Sequence, residues 1–204
     1  MLNVGLTGGI ACGKSTVARM LVEKGAVLID FDDLTHAVEE PDGPTWREIV
    51  DHFGESILLP DRRIDRRKLG AIVFTDREKR EILNNIVHPA VLAEWRKRLG
   101  EIEKERADAV VLSDIPLLIE VGMEKMVDVV LLVCIPPEDQ IRRLMARNGF
   151  TREEAGRRVA AQMPIMEKIP RADIVIRNEG SVEETSRAVD RVWEELYRLG
   201  ERTL

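Results

Sequence analysis

The first 25 residues constrain the fold more than any other part of this 204-residue sequence. Residues 8–15 read GGIACGKS and fit the pattern G-x-x-x-x-G-K-[ST]. An apolar run at residues 2–7 precedes them, and a helical spacing of apolar side chains follows them as far as Gly25. A strand, a glycine-rich loop and a helix in this order form an anion-binding nest, because the backbone N–H groups of the loop turn inward at the N-terminus of the helix. The sequence therefore predicts that a nucleotide phosphate binds here.

Several residues of this loop have predicted roles. Lys14 is expected to reach the β- and γ-phosphates, and the Ser15 hydroxyl is expected to bind Mg²⁺. The other predicted nucleotide contacts in the loop are Gly8, Gly9, Ala11, Cys12, Gly13 and Thr16. Two interpretations of Cys12 remain open. A helix N-terminus beside a lysine lowers a thiol pKa and would make the residue sensitive to oxidation, whereas a small residue that simply fits the loop would be inert.

The rest of the chain alternates strand-like apolar runs with helical patterns. Further buried strands are predicted at residues 26–30, 109–113, 127–135 and 172–176. The strands at 109–113 and 127–135 are apolar on both faces, as parallel strands covered by helices are. This order predicts an α/β fold with a mainly parallel, five-stranded sheet between helical layers.

Capping boxes predict where three of the helices begin. The pattern of a serine or threonine followed three residues later by glutamate occurs at residues 75–78, 151–154 and 181–184. Pro89 is expected to break a helix or to begin the next one, because proline lacks the N–H that a helix interior uses.

Composition and charge exclude several classes of function. A net charge of −6 argues against a general nucleic-acid-binding protein. No apolar run approaches the roughly 18 residues that a membrane helix needs, and the N-terminus lacks the basic region of a secretion signal, so a cytoplasmic protein is expected. The two cysteines form no disulfide framework, and the three histidines lack the spacing of zinc ligands.

Acidic residues follow the second predicted strand. Asp30, Asp32 and Asp33 lie where that strand ends, and ligands of open α/β sheets bind at the carboxyl ends of the strands. Carboxylates beside a triphosphate would hold Mg²⁺ or receive an acceptor hydroxyl. The alternative, that Asp32 or Asp33 merely caps a helix, stays open.

The motifs together resemble those of one enzyme family. Residues 5–16, GLTGGIACGKST, followed by LIDFD at residues 28–32, resemble the start of the dephospho-coenzyme A kinases, a family of P-loop kinases. Further matches follow in the order of that family: DRRKL at 65–69, VF at 73–74, HP at 88–89, DIPLLIE at 114–120, QIRR at 140–143, RN at 147–148, then Gln162, Lys168, AD at 172–173 and Asn178. The departures from the family pattern are small: Ala11 and Cys12 replace glycine and serine, Phe31 replaces a small residue, and Ile119 replaces phenylalanine.

The resemblance implies a reaction and roles for several residues. It implies transfer of the γ-phosphate of ATP, with Mg²⁺, to the ribose 3′-hydroxyl of dephospho-CoA, which is the last step of coenzyme A synthesis. By the same resemblance, Asp32 orients the hydroxyl and takes its proton late. Arg143 and Arg147 share one face of a predicted helix and would neutralise charge on the transferred phosphate. Asn178 is implied to help contact the adenine.

The resemblance also implies how one P-loop kinase domain, residues 1–204, is organised. The nucleotide-binding core would comprise residues 1–35, 106–146 and 171–204. Residues 36–105 would form a helical insertion that binds the acceptor, and residues 147–170 would form a lid.

Candidate contacts with the acceptor are Arg66, His88, Leu118 and Glu120. Blander interpretations stay open for three of them. Arg66 would be a solvated arginine, His88 would cap a helix, and Leu118 would be a core residue.

Two other functions compete with the kinase interpretation. A nucleoside monophosphate kinase shares the predicted layout. Those enzymes, however, resemble one another in a stretch D-G-[FY]-P-R after the third strand, whereas residues 114–117 here read DIPL and lack the arginine. A non-catalytic ATP-binding module would need neither the acceptor-side aspartate nor the paired arginines. The expected partners are therefore ATP and dephospho-CoA, with no nucleic acid and no membrane, and the oligomeric state is left open.

Overall fold

A five-stranded sheet forms the centre of the computed structural model, which describes residues 1–201. The strands are β1 Leu2–Gly8, β2 Val27–Asp30, β3 Val110–Asp114, β4 Val129–Cys134 and β5 Ile174–Arg177. Their order in the sheet is β2-β3-β1-β4-β5. Strand β1 pairs in parallel with β3 and β4, and β4 pairs in parallel with β5. The predicted strands and the mainly parallel sheet are confirmed, with small shifts at the strand ends.

Helices connect and cover these strands. They are α1 Lys14–Glu23, α2 Phe31–Val38, α3 Pro44–Phe53, α4 Arg66–Thr75, α5 Arg77–Glu105, α6 Pro137–Asn148, α7 Arg152–Ala160, α8 Ile165–Lys168 and α9 Val182–Glu201. Short 3₁₀ turns lie at Glu55–Ile57, Met123–Met126 and Ile169–Arg171.

Strand β4 shows why the fold has three layers. Successive side chains of a strand point to opposite faces of the sheet. Leu131 and Val133 pack into the cluster that contains the apolar faces of α1 and α9. Leu132 and Cys134 pack on the other side with Ile165 of α8. Helices thus bury both faces of the strand, which is why its sequence is continuously apolar.

Two of the predicted capping boxes are confirmed. Thr151 and Glu154 bond reciprocally at the start of α7, and the Glu184 N–H donates to the Ser181 hydroxyl at 3.3 Å at the start of α9. The box predicted at 75–78 is wrong. Asp76 caps α5 instead, because its carboxylate accepts from the Lys79 N–H at 3.1 Å. The Thr75 hydroxyl donates back to carbonyls of α4.

The predicted break at Pro89 is also wrong, since Pro89 lies inside the continuous helix α5. Val87, Val91 and Trp95 are the buried residues of this helix and recur at four-residue spacing. That apolar stripe holds the helix on its core through the turn where proline removes one hydrogen bond.

The chain divides into two compact units. One comprises residues 1–29 and the chain from residue 102 onwards, and the other comprises Asp30–Glu101. The first carries the sheet strands and the phosphate loop, whereas the second is built from helices, with Trp46 and Ile49 buried in its core. The functional boundaries of the insertion and the lid stay predictions. Within residues 1–201, no helix is both long enough and apolar enough to cross a membrane.

Candidate active site

The phosphate loop runs from the end of β1 at Gly8 to the start of α1 at Lys14. Gly13 precedes the helix in the left-handed conformation, with φ of +85°. A Cβ atom there would also collide with the side-chain nitrogen of Asn178, so glycine is required twice over. A Cβ atom on Gly8 would lie 2.6 Å from the Val133 carbonyl oxygen, so β4 approaches too closely for any side chain.

Ala11 adopts a positive φ of 59° in the same loop. The family pattern has glycine at this position, and a residue with a Cβ atom pays about 1–2 kcal/mol for the left-handed conformation. The loop therefore contains one strained residue, which its surroundings must hold in place.

Lys14 contacts a carboxylate on the neighbouring strand. Its ammonium group forms an ion pair with Asp114 Oδ1, at the end of β3. Leu6 of β1 is the register partner of Asp114, so parallel pairing brings the strand end beside the loop. Both side chains are largely buried, with 17% of Lys14 and 7% of Asp114 exposed. The pair places a cation and an anion at the predicted triphosphate site.

Ser15 and Thr16 occupy the first turn of α1, immediately after Lys14. Ser15 is exposed and Thr16 is half-buried. The Thr16 backbone N–H donates to the Gly13 carbonyl at 3.0 Å, which begins the helix. The Ser15 hydroxyl is therefore accessible to a metal ion beside the loop.

The Asn178 side chain bonds to the backbone of the phosphate loop. Its side-chain nitrogen donates to the Cys12 carbonyl at 2.8 Å, and its side-chain oxygen accepts from the Thr185 hydroxyl at 2.6 Å. The residue is 8% exposed. Both ends of the amide are thus engaged within the protein, a geometry that supports holding the loop rather than the predicted adenine contact.

Arg143 and Arg147 differ in their surroundings although both lie on α6. One guanidinium nitrogen of Arg143 donates to the Asn178 carbonyl at 2.7 Å, and another lies 3.5 Å from the Ala11 carbonyl. Arg147 is exposed and donates to Asn148, its neighbour in sequence. The structure therefore brings Arg143 to the loop, whereas Arg147 extends into solvent.

Of the two interpretations of Cys12, the activated thiol with a lowered pKa is wrong. Cys12 is 1% exposed, and burial raises its pKa above the usual value, although the Lys14 backbone and charge oppose this. Desolvation of the thiolate dominates because the Cys12 side chain is buried in the apolar cluster between the sheet, α1 and α9. Cys12 is the small residue that fits the loop.

Asp32 lies in the first turn of α2 and is exposed. Asp30, not Asp32 or Asp33, caps this helix, since its carboxylate accepts from the Asp32 N–H at 2.8 Å. The capping interpretation of Asp32 and Asp33 is therefore wrong. Among residues 1–201, the Asp32 carboxylate has neither an ion pair nor a hydrogen bond, and it is available to a ligand.

The predicted acceptor contacts in the helical unit, Arg66 and His88, lie on different helices. Arg66 is half-exposed at the start of α4 and pairs with Glu39 at 2.6 Å. The two residues line a cleft of about 340 Å³ with His36 and Leu59. Burial raises the pKa of the Glu39 carboxyl, although Arg66 and His36 oppose the shift.

His88 is exposed on α5 and lies inside that helix, so it is not a helix cap. It does not line the cleft beside Arg66.

Leu118 and Glu120 follow β3 but have different environments. Leu118 has no exposed surface and packs over Gly5 of β1. The structure thus corrects its predicted substrate contact to the core position that the sequence left open. Glu120 forms an ion pair with Lys168, with 2.5 Å between Oε1 and Nζ, and Lys168 is completely buried. In the sequence, only the family pattern singled out Lys168. Burial of a lysine side chain cannot be recognised from a single sequence.

Comparisons with known proteins agree with this geometry. The sequence model of the dephospho-CoA kinase family matches residues 2–184. A dephospho-CoA kinase of Syntrophus aciditrophicus is 58% identical over 198 residues, which cover 97% of this chain and 84% of that protein. One from Carboxydothermus hydrogenoformans is 51% identical over 182 residues, covering 89% of this chain and 88% of that protein.

Solved structures give the same result. A dephospho-CoA kinase from Campylobacter jejuni is 29% identical, has a TM-score of 0.74, and each chain covers 96% of the other. The protein TT1252 from Thermus thermophilus is 38% identical with a TM-score of 0.80, covering 96% of this chain and 97% of that one. With a phosphate loop of this geometry and matches along nearly its whole length, the chain belongs to the dephospho-CoA kinase family.

Proposed function

We propose a role for each site residue of this chain in the reaction of the family. In that reaction, ATP phosphorylates the ribose 3′-hydroxyl of dephospho-CoA to give CoA and ADP. The observation that carries the proposal is the contact of Lys14 with Asp114 at the mouth of a phosphate loop. This contact supports a role for the loop cation beside the β- and γ-phosphates of ATP. A triphosphate would then replace the carboxylate as the partner of the ammonium group.

The loop binds the phosphates through its backbone. Gly9, Ala11 and Gly13 would offer N–H groups at the N-terminus of α1, where the helix dipole favours an anion. The Cys12 N–H donates to the Gly9 carbonyl at 3.2 Å, and a phosphate would compete for it. Asn178 and Arg143 hold the carbonyl side of the loop. The loop is consequently preorganised, so little free energy is spent on ordering it when ATP binds.

The oxygen donors at this site fit Mg²⁺. The Ser15 hydroxyl is exposed beside the loop, and the Asp114 carboxylate ends the adjacent strand. Mg²⁺ usually takes one or two protein oxygens and fills its other positions with water and substrate phosphates. Ser15 would bind it directly and Asp114 through water. Bound Mg²⁺ would neutralise charge on the β- and γ-phosphates.

Asp32 orients the acceptor hydroxyl and accepts its proton late in the transfer. Its exposed carboxylate, which has no partner among residues 1–201, supports this role, since a capping residue would already be engaged. A loose phosphoryl-transfer transition state needs positioning more than it needs a strong base.

Arg143 and Arg147 supply positive charge to the same reaction. Arg143 would act from its fixed position beside the Ala11 carbonyl, and Arg147 from an exposed position one helical turn further along α6. Guanidinium groups near the transferred phosphate stabilise the charge that develops on it.

On the acceptor side, Arg66 and His88 bind dephospho-CoA and Glu120 helps shape its site. The exposed half of Arg66 is available to a phosphate of the acceptor, and releasing Glu39 would free the rest. We also infer that the protein works in the cytoplasm, in keeping with its relatives among the dephospho-CoA kinases.

A coupled assay of ADP release with Mg²⁺-ATP tests this function. Dephospho-CoA, AMP, CMP and no acceptor are offered in parallel, and CoA is identified as the product. ADP release only with dephospho-CoA is expected. Turnover with a monophosphate instead would contradict the assigned acceptor, and ADP release that does not depend on an acceptor would contradict a kinase role.

A further inference from the structure

Gln162 contacts the phosphate loop from a distant part of the chain. The Ile10 N–H donates to the Gln162 side-chain oxygen at 2.7 Å, across 152 residues of sequence. Gln162 lies in the connection between α7 and α8 and is half-buried. A backbone N–H of the loop is thereby satisfied by a side chain from outside the loop.

The support of Gln162 is firmly attached to the sheet. Ile165, three residues later, is 9% exposed and packs with Leu132 and Cys134 of β4. Lys168 has no exposed surface and pairs with Glu120 at 2.5 Å. Moving this segment would expose apolar surface and separate a buried ion pair, which is costly. Gln162 therefore approaches the loop from a fixed base.

A second glutamine lies against the neighbouring residue of the loop. A Cβ atom on Gly9 would lie 3.0 Å from both amide atoms of Gln140. Gln140 is 3% exposed and donates to the Ile135 carbonyl at 3.2 Å. The amide of Gln140 thus packs closely against Gly9, and the amide of Gln162 bonds Ile10, immediately before the strained turn at Ala11.

We propose that Gln162 is a positioning residue for the phosphate loop. Its side-chain oxygen holds the Ile10 N–H, so that the strained turn at Ala11 is kept and the N–H groups after it stay arranged for a phosphate. Gln162 touches no reacting atom. The inference rests on the proposed nucleotide-binding role of the loop.

The expected effect follows from losing one hydrogen bond to the loop. Without it, the Kd for ADP and the KM for ATP rise about three- to tenfold. The KM for dephospho-CoA and the kcat at saturating ATP stay within about twofold, because the bond acts before the chemical step.

The experiment compares three variants with the full-length wild type. Gln162→Met keeps the length of the side chain but removes the acceptor oxygen, whereas Gln162→Glu keeps an acceptor. Glu153→Met makes a matched change at an exposed position of α7. Amide hydrogen exchange of Ile10 is followed by NMR without nucleotide, ADP binding by calorimetry, and both KM values by the coupled assay.

In Gln162→Met, Ile10 exchange is expected to accelerate about tenfold or more, with the rise in Kd for ADP stated above. In Gln162→Glu and Glu153→Met, Ile10 exchange is expected to stay within about twofold of the wild type. For Gln162→Glu, Ile10 exchange is the readout rather than ADP binding, because the negative charge of the new glutamate also repels ADP. If Gln162→Met fails to fold, Gln162→Asn, which is too short to reach Ile10, takes its place.

Unchanged Ile10 exchange and unchanged ADP binding in Gln162→Met would overturn the inference. An equal rise in the KM for both substrates would also overturn it, because it would indicate a merely structural role. Absence of ADP binding by the wild type would instead contradict the nucleotide role of the loop, and Ile10 exchange would still test the contact itself.

Discussion

The phosphate loop and the helical unit differ in how their predicted ligand-binding residues are held. In the loop, Ile10, Ala11 and Cys12 are each fixed by a side chain from another element. In the helical unit, Arg66 is half-exposed and pairs with Glu39, and His88 is exposed. A fixed loop binds a phosphate with little further ordering, whereas exposed side chains must become ordered around the acceptor at an entropic cost.

The largest loss of activity is expected at Lys14, in the phosphate loop. Replacing Lys14 by methionine should lower kcat/KM by about a thousandfold or more, because it removes the cation from the developing charge. The coupled assay measures this loss, and circular dichroism checks that the protein remains folded despite the changed surroundings of Asp114. Lys14→Arg keeps a charge beside Asp114 but not a compact ammonium, and it should also be impaired. A normal rate in either folded variant would remove Lys14 from the chemistry.

The next effect concerns Asp32 in the helical unit. Asp32→Asn should lower kcat by about a hundredfold or more while the affinity for ATP stays nearly unchanged. Asp33→Asn is the matched control, since Asp33 is exposed in the same first turn of α2 and the two changes alter the helix N-terminus alike. Turnover in Asp32→Asn equal to that of the control would contradict the assigned role.

A smaller effect is expected at Arg66. Arg66→Met should raise the KM for dephospho-CoA about tenfold and leave the KM for ATP within about twofold, because a charge-assisted hydrogen bond is lost on the acceptor side only. Arg67→Met removes an exposed arginine next to it and serves as the control. Equal effects of the two variants would indicate general attraction of a charged substrate rather than a specific contact.

The smallest effect concerns stability at the strained position of the loop. Ala11→Gly should leave the free energy of unfolding unchanged or raise it by up to about 1 kcal/mol, because relief of strain offsets the greater freedom of the unfolded chain. Ala146→Gly on the exposed face of α6 should instead lower it by about 1 kcal/mol. Urea denaturation measures both. A similar loss in both variants would show that Ala11 carries no strain.

Local patterns explain why much of the fold could be predicted. Each strand is marked by a short apolar run, and the capping boxes at Thr151 and Ser181 use residues three apart, so that sequence neighbours alone specify them. The box at Thr75 was misplaced because Asp76, beside it, is an equally good cap. The break at Pro89 did not occur because burial of Val91 and Trp95 outweighs one lost hydrogen bond.

The roles within the site were harder to predict because burial decides them. Cys12 carries every local sign of an activated thiol, yet burial raises its pKa. Leu118 follows a strand end in a motif of the family, yet its side chain packs over Gly5 in the core. Neither burial nor packing direction can be calculated from the neighbours of a residue in sequence.

The sequence by itself determined the strand, phosphate loop and helix at the N-terminus, the parallel sheet and the family, because these depend on spacings within short segments and on motifs in a set order. Only the tertiary structure decided what holds the loop. Asn178 and Cys12 are 166 residues apart, and Gln162 and Ile10 are 152 apart. Asn178 meets the loop because the carboxyl ends of neighbouring parallel strands lie at one edge of the sheet. Gln162 meets it because the segment between α7 and α8 packs against β4, and buried polar groups must find partners.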